Sequence, residues 1–284
     1  MIIENTADAL KYLYGLSPNQ SDLRFRGQAV FDWEIIPSIH RPGGLERYQT
    51  VQHEKFLLEK RPKKPIPPLT HTEFELEWLM VAQHYDVPTR LLDWTSDILI
   101  ALYFACDGER FLNDDGVLVI CKKDDYSQYN AYDESAMESQ DLSFVSTNVV
   151  NPRMRLQSGC FMIWGHAPLD EANRGSYDLQ RYHERGKKNY FLEKLLVPKT
   201  KKNEILKQLD KFYSISRDTL YQKEGYLERK YRDSFEKLKR ESRLKTLYVT
   251  DADSLDPGEE SAARALFRFE CRNMIGNCTN IRRC

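Results

Sequence analysis

With 284 residues, 41% of them hydrophobic and 12% aromatic, the chain can bury a sizeable core, which excludes global disorder. Its 42 Lys and Arg nearly cancel its 43 Asp and Glu, leaving a formal net charge of -1. That removes any whole-chain electrostatic case for nucleic acid or a membrane surface as partner.

The N-terminal stretch lacks the basic start and long apolar run of a secretory signal. No apolar run reaches the roughly 18 residues of a membrane span. A cytoplasmic protein without a membrane partner is expected. Residues 6–14 place Ala9, Leu10 and Leu13 on one side of a short helix, which Gly15 and Pro18 end. Residues 23–26 alternate apolar and charged side chains as a half-buried strand does, with Gly27 closing it. An extended segment over 29–41 and a helix over 45–61 precede a proline-rich connector at 63–68.

Residues 73–107 hold the densest signal. Phe74, Trp78, Val81, Ala82 and Tyr85 recur at helical spacing, Pro88 forces a turn over 86–89, and residues 98–106 are apolar all round, which predicts a helix buried at the centre. Between turn and helix, the oxygens of Asp93, Thr95, Ser96 and Asp97 can cap the second helix. Arg90, Asp93, Trp94, Thr95 and Ser96 are thereby expected at a helix N-terminus, where free N–H groups and the helix dipole favour an anion. An Arg90–Asp93 ion pair beside an ordinary cap is the plainer alternative.

Farther on, the apolar run 116–121 predicts a buried strand. Residues 122–147 are acidic and aperiodic and read as a long loop or lid. Residues 151–159 form a turn entering a strand at 160–164, and a further strand over 190–197 carries Glu193 and Lys194. Pro198 ends it before an amphipathic helix at 201–212, and helical patterning returns over 227–247 and 262–272, around an acidic segment. Strands and helices interleave without a regular βαβ rhythm. The expected fold is therefore α+β, a mixed or antiparallel sheet around a buried central helix, with a helical C-terminal extension.

Charge is uneven: residues 107–141 hold 10 acidic against 3 basic side chains, and 181–248 hold 20 basic against 10 acidic. The second stretch is either a basic surface or a solvated helical face. Cys106, Cys121 and Cys160 sit in apolar stretches as small core residues, while Cys271, Cys278 and Cys284 match no common zinc spacing, so no metal is expected. Neither a dinucleotide glycine fingerprint nor a P-loop is present.

Phe25-Arg26-Gly27-Gln28 with Trp33, Pro37, Ser38 and Arg41, then Gln83-His84-Tyr85, then 87–95, then Ala101-Leu102-Tyr103-Phe104-Ala105, resembles the FRG domain family. The resemblance continues through Asn151, Arg153, Gln157, Gly159 and Phe161 to Leu192-Glu193-Lys194, which implies an FRG domain over 1–222 and an extension over 223–284. Arg26-Gly27, Thr95-Ser96 leading to Ala101 and Phe104, and Glu193 before Val197-Pro198 are similar, in order, to motifs of mono-ADP-ribosyltransferases. Phe191 stands where many such enzymes have Glu or Gln.

That second resemblance implies NAD as donor, with ADP-ribose passed to an unknown protein or nucleic-acid acceptor or to water, in a bacterial or phage toxin or defence setting. Cleaving the nicotinamide–ribose bond builds positive charge on the ribose, which a carboxylate on a rigid strand stabilises; Glu193 is the candidate. Arg26 would bind the diphosphate as a permanently charged fork, and Gly27 would let backbone approach it. Thr95 or Ser96 would orient the ribose. Gln28, Arg90, Asp93, Trp94 and Gln157 would complete the site, with Tyr85, Trp94 or Tyr103 as stacking residue. Two other readings stay open: Arg26 pairs with Glu193 or Asp93 and merely ties the sheet, and the domain is a non-catalytic sensor of a nucleotide or nucleic acid. His84 is either a core histidine or a catalytic base.

Overall fold

The computed structural model describes residues 1–16, 22–40, 53–54, 56–60, 75–130, 134–139, 141–146, 152–165, 179–186, 190–221, 232 and 234–241. The C-terminal cysteines, the helix expected over 262–272, the proline-rich connector and much of the helix expected over 45–61 lie outside them. Among the described residues seven strands form one sheet: β1 (Leu23–Gln28), β2 (Leu91–Thr95), β3 (Gly116–Lys122), β4 (Ser127–Asn130), β5 (Ser143–Ser146), β6 (Gly159–Ile163) and β7 (Leu192–Val197). Their order is β4-β5-β6-β2-β1-β3-β7, parallel between β4 and β5 and antiparallel elsewhere. Helices among the described residues include α1 (Thr6–Leu16), α2 (Glu75–His84), α3 (Ile98–Cys106), α4 (Pro152–Leu156), α5 (Leu179–Gly186), α6 (Lys202–Tyr213) and α7 (Arg217–Leu220). This is the α+β sheet with a buried central helix that the sequence implied. No helix among the described residues is long and apolar enough to cross a membrane.

Helix α3 is the centre. Asp97 caps it, its Oδ1 accepting from the N–H groups of Leu99 (2.8 Å) and Ile100 (3.3 Å), and almost every side chain along it is buried. It lies on β1 and β3 so closely that Gly27 and Gly116 have no room for a side chain: a Cβ on Gly27 would stand 1.9 Å from the Ala101 carbonyl oxygen, and one on Gly116 2.2 Å from that of Ala105. Leu23, Phe25, Leu118, Ile120, Leu195 and Val197 face α3, α1 and α6 from the sheet. The opposite face carries Leu92, Trp94, Val117, Val119, Cys121 and Met162. Cys106 and Cys121 are buried, Cys160 half-buried, and all three are unbonded thiols.

Three expectations change. Residues 91–95 are not a cap region: they are β2, held by β6 through five register pairs, and only Asp97 caps the helix. Two four-residue strands, β4 and β5, occupy the stretch expected as a loop over 122–147; β4 is a polar sheet edge, which leaves no apolar pattern to read. Helix α2 is buried from Leu76 to Ala82 instead of along one face, because Phe56, Leu57, Phe235 and Leu238 join it in one hydrophobic cluster.

Candidate functional site

β1 runs beside β3 over six register pairs but meets β2 at a single pair, Phe25↔Thr95. Where the two strands part, a cleft of about 790 Å³ opens between them, within the range of small-ligand sites. Strand alternation sends residues of both sheet faces into it: Arg26, Gln28 and Trp94 from one, Asp93, Thr95 and Gly159 from the other. Phe104 of α3, His84 of α2, Arg153 of α4, Gln157 after α4, Trp33, Phe111 and Tyr221 complete the walls.

The polar side chains form a connected frame. Arg26 donates from Nε to Gln28 Oε1 at 3.0 Å and from Nη1 to the Asp93 carbonyl oxygen at 2.6 Å, spanning the gap between the parted strands. Gln28 passes the link on, Nε2 donating to the Trp33 carbonyl oxygen at 3.1 Å. Across the cleft, Thr95 Oγ1 donates to the Gln157 carbonyl oxygen (2.8 Å) and accepts from the Asp97 N–H (3.1 Å), and Gln157 Nε2 donates to the Leu220 carbonyl oxygen (3.3 Å). The Arg153 guanidinium lies 4.4 Å from the Tyr221 ring centre, a cation–π contact that fixes its plane.

His84 is largely shielded from water. Burial, then the nearby charges of Arg153 and Arg232, hold its pKa down at about 4, so the ring is neutral at physiological pH. The lining carries Asp32, Glu34, Asp86, Asp93 and Asp107 against Arg26 and Arg153. A ligand held here therefore meets mixed charge with aromatic walls. Among the described residues no group of three or more His, Cys, Asp or Glu side chains is placed to hold a metal.

Residues 21–113 match the family model of the FRG domain. Neither a curated protein nor a solved structure matches the chain. The FRG stretch supplies the Arg26-Gly27-Gln28 corner, Trp33, Gln83, His84, Asp93, Trp94, Thr95 and Phe104 of the cleft; the other wall, from Arg153 through Gly159 to Tyr221, follows it in sequence. Part of the FRG stretch, from Arg26 to Phe104, thus lines one cavity although its residues lie far apart in sequence.

Several expected site residues lie elsewhere. Arg90 is 2% exposed and serves the core: Nε pairs with Glu54 Oε1 at 2.9 Å, while Nη2 and Nη1 donate to the carbonyl oxygens of Met137 (2.5 Å) and Trp164 (3.3 Å). Tyr85 stacks on Phe235, ring centres 4.3 Å apart and planes 7° from parallel, and Tyr103 is buried, so neither offers a face to a ligand. Ser96 is outside the lining; its N–H donates to the Ser158 carbonyl oxygen at 3.1 Å. Gly27 lines the cleft, but its missing side chain makes room for α3.

Glu193 is the largest displacement from expectation. It sits on β7 opposite Ile120 of β3, two strands beyond β1 and hence about 10 Å away across the sheet, and it shares the face of Phe25 and Ile120, not that of Arg26. There it accepts a hydrogen bond from the Tyr12 hydroxyl of α1, whose pKa burial and then this carboxylate push up to about 12. The fold does not bring Glu193 and Arg26 together. Trp33, Phe111 and Tyr221 are cleft residues that the expected site did not include. The signal for Trp33 was a large ring flanked on both sides by carboxylates, Asp32 and Glu34.

Proposed function

We propose that the FRG cleft is a recognition site for a nucleotide of the NAD type. The observation that carries this is the convergence, at the gap between β1 and β2, of two guanidinium groups, a frame of amide and hydroxyl side chains, and aromatic walls around about 790 Å³. Guanidinium forks suit phosphate oxygens, and aromatic faces suit a base.

A narrower claim rests on it: cleavage of the nicotinamide–ribose bond, with ADP-ribose passed to an acceptor or to water. Resemblance supports this chemistry, and the toxin or defence setting with it. The carboxylate that suits it by position is Asp93, whose exposed side chain shares a strand face and the cleft with Thr95. A carboxylate there would stabilise the positive ribose in the transition state.

Titration calorimetry with NAD, alongside nicotinamide release, tests both claims on wild type, Asp93→Asn and Glu193→Gln. Saturable NAD binding retained in Glu193→Gln is expected, with any release lost in Asp93→Asn. Binding without release would make the chain a nucleotide sensor. Release that vanishes in a folded Glu193→Gln would return the chemistry to β7 and refute the Asp93 assignment. No NAD binding at millimolar concentration would refute the proposal. Binding that weakens steeply with salt and extends to any oligonucleotide would favour nucleic acid at the basic 181–248 stretch instead.

A further inference from the structure

We infer that Trp33, edged by Phe111, is a stacking platform at the cleft for the planar heteroaromatic ring of the ligand, an inference that rests on the nucleotide reading of that cleft. Of the four tryptophans, Trp78, Trp94 and Trp164 are at most 3% exposed, whereas Trp33 is 44% exposed and lines the cavity. A large apolar ring left in water at the cleft costs solvation that a stacked ligand ring would recover.

The ring and its segment are also held in place. Phe111 packs against it in a T-shaped contact, ring centres 4.8 Å apart at 81°, and the indole keeps 44% of its surface exposed. Its backbone is fixed on two sides: its N–H donates to the Val30 carbonyl oxygen (3.3 Å), and its carbonyl oxygen accepts from Gln28. The ammonium of Lys202, a residue with no exposed surface, donates to the carbonyl oxygens of Ala29 (2.7 Å) and Phe111 (2.9 Å). One buried cation thus ties together the two segments that carry the two rings. Gln28 and Lys202 are positioning residues; Trp33 makes the contact. Of the side chains first expected to stack, Tyr85 and Tyr103 are buried outside the cleft lining, and Trp94, though it lines the cleft, is only 3% exposed.

The test titrates wild type, Trp33→Ala and Trp33→Phe with NAD, AMP, nicotinamide mononucleotide and ribose 5-phosphate, and follows acrylamide quenching of wild-type tryptophan emission. Losing a base–aromatic stack should weaken ring-bearing probes roughly tenfold or more in Trp33→Ala. Trp33→Phe should restore most of the affinity, ribose 5-phosphate should be indifferent to the substitution, and the ring-bearing probes should protect wild-type emission from acrylamide. Whichever of AMP and nicotinamide mononucleotide is the more sensitive names the ring on the platform. Ring-bearing probes that bind Trp33→Ala as tightly as wild type, or that leave quenching unchanged, overturn the platform but spare the nucleotide reading. If none of them binds wild type, both fall together.

Discussion

Gly27→Ala is the substitution that most directly probes how the cleft is built. The added methyl would stand 1.9 Å from Ala101 O, 2.5 Å from Ala105 N and 2.9 Å from Phe104 C, all backbone atoms of α3, which have no rotamer through which to yield. Restoring even a 3.0 Å approach requires the helix and strand to separate by about 1.1 Å. Overpacking against side chains costs about 1–3 kcal/mol, and against a helix backbone the upper end is the starting point. A loss of about 3 kcal/mol or more should lower Tm by roughly 6–12 °C for a domain of this size. Because Phe104 lines the cleft from α3, ligand affinity should fall as well. Gly15→Ala is the control: it sits in α1 with nothing within 4 Å of the new Cβ, so it should stabilise by about 0.5–1 kcal/mol through helix propensity. Urea unfolding followed by circular dichroism reads both. A Gly27→Ala midpoint within 0.5 kcal/mol of wild type would refute the close seating of α3 on β1.

His84 should make stability fall in acid. Its folded pKa of about 4 lies below the ordinary 6.5, so its contribution is complete above pH 6.5 and is lost as pH drops through 4, by about 3 kcal/mol in all. His84→Gln should flatten that part of the stability–pH curve, and an unchanged slope between pH 6.5 and 4 would show that the ring titrates normally. Arg90→Leu leaves the 16%-exposed Glu54 without its guanidinium and two buried carbonyl oxygens without a donor, for an expected loss of about 3–5 kcal/mol in chemical unfolding. A cost below 1 kcal/mol would mean that Arg90 is not the core tie described.

Much of the cleft was visible as residue identity but not as place. Arg26, Gln28, Asp93, Trp94, Thr95 and Gln157 were expected at one site and do line one cleft. Arg90 could not be told from Arg26 by type. Its partners, Glu54, Met137 and Trp164, are 36, 47 and 74 positions away, beyond any local pattern. Tyr85 falls just past the end of α2, and the ring that covers it is Phe235, 150 positions on.

Short-range physics in the sequence determined α3 within its stated limits, since an unbroken apolar run after Asp97 has only one economical capped helix. It also determined the turn at 86–89, where Asp86 takes φ 60° just ahead of Pro88, and the continuous apolar strand β3. Register and layer order were left to the tertiary structure. A strand's alternation says that its side chains take two faces but not which neighbour shares them. Only the pairing Phe25↔Ile120↔Glu193 puts the carboxylate on the α1 side, away from Arg26. Likewise residues 91–95 carry the oxygens of a helix cap and became a strand because β6 offered five backbone pairings along one edge, while β1, drawn to β3, parted from the other and left the cleft.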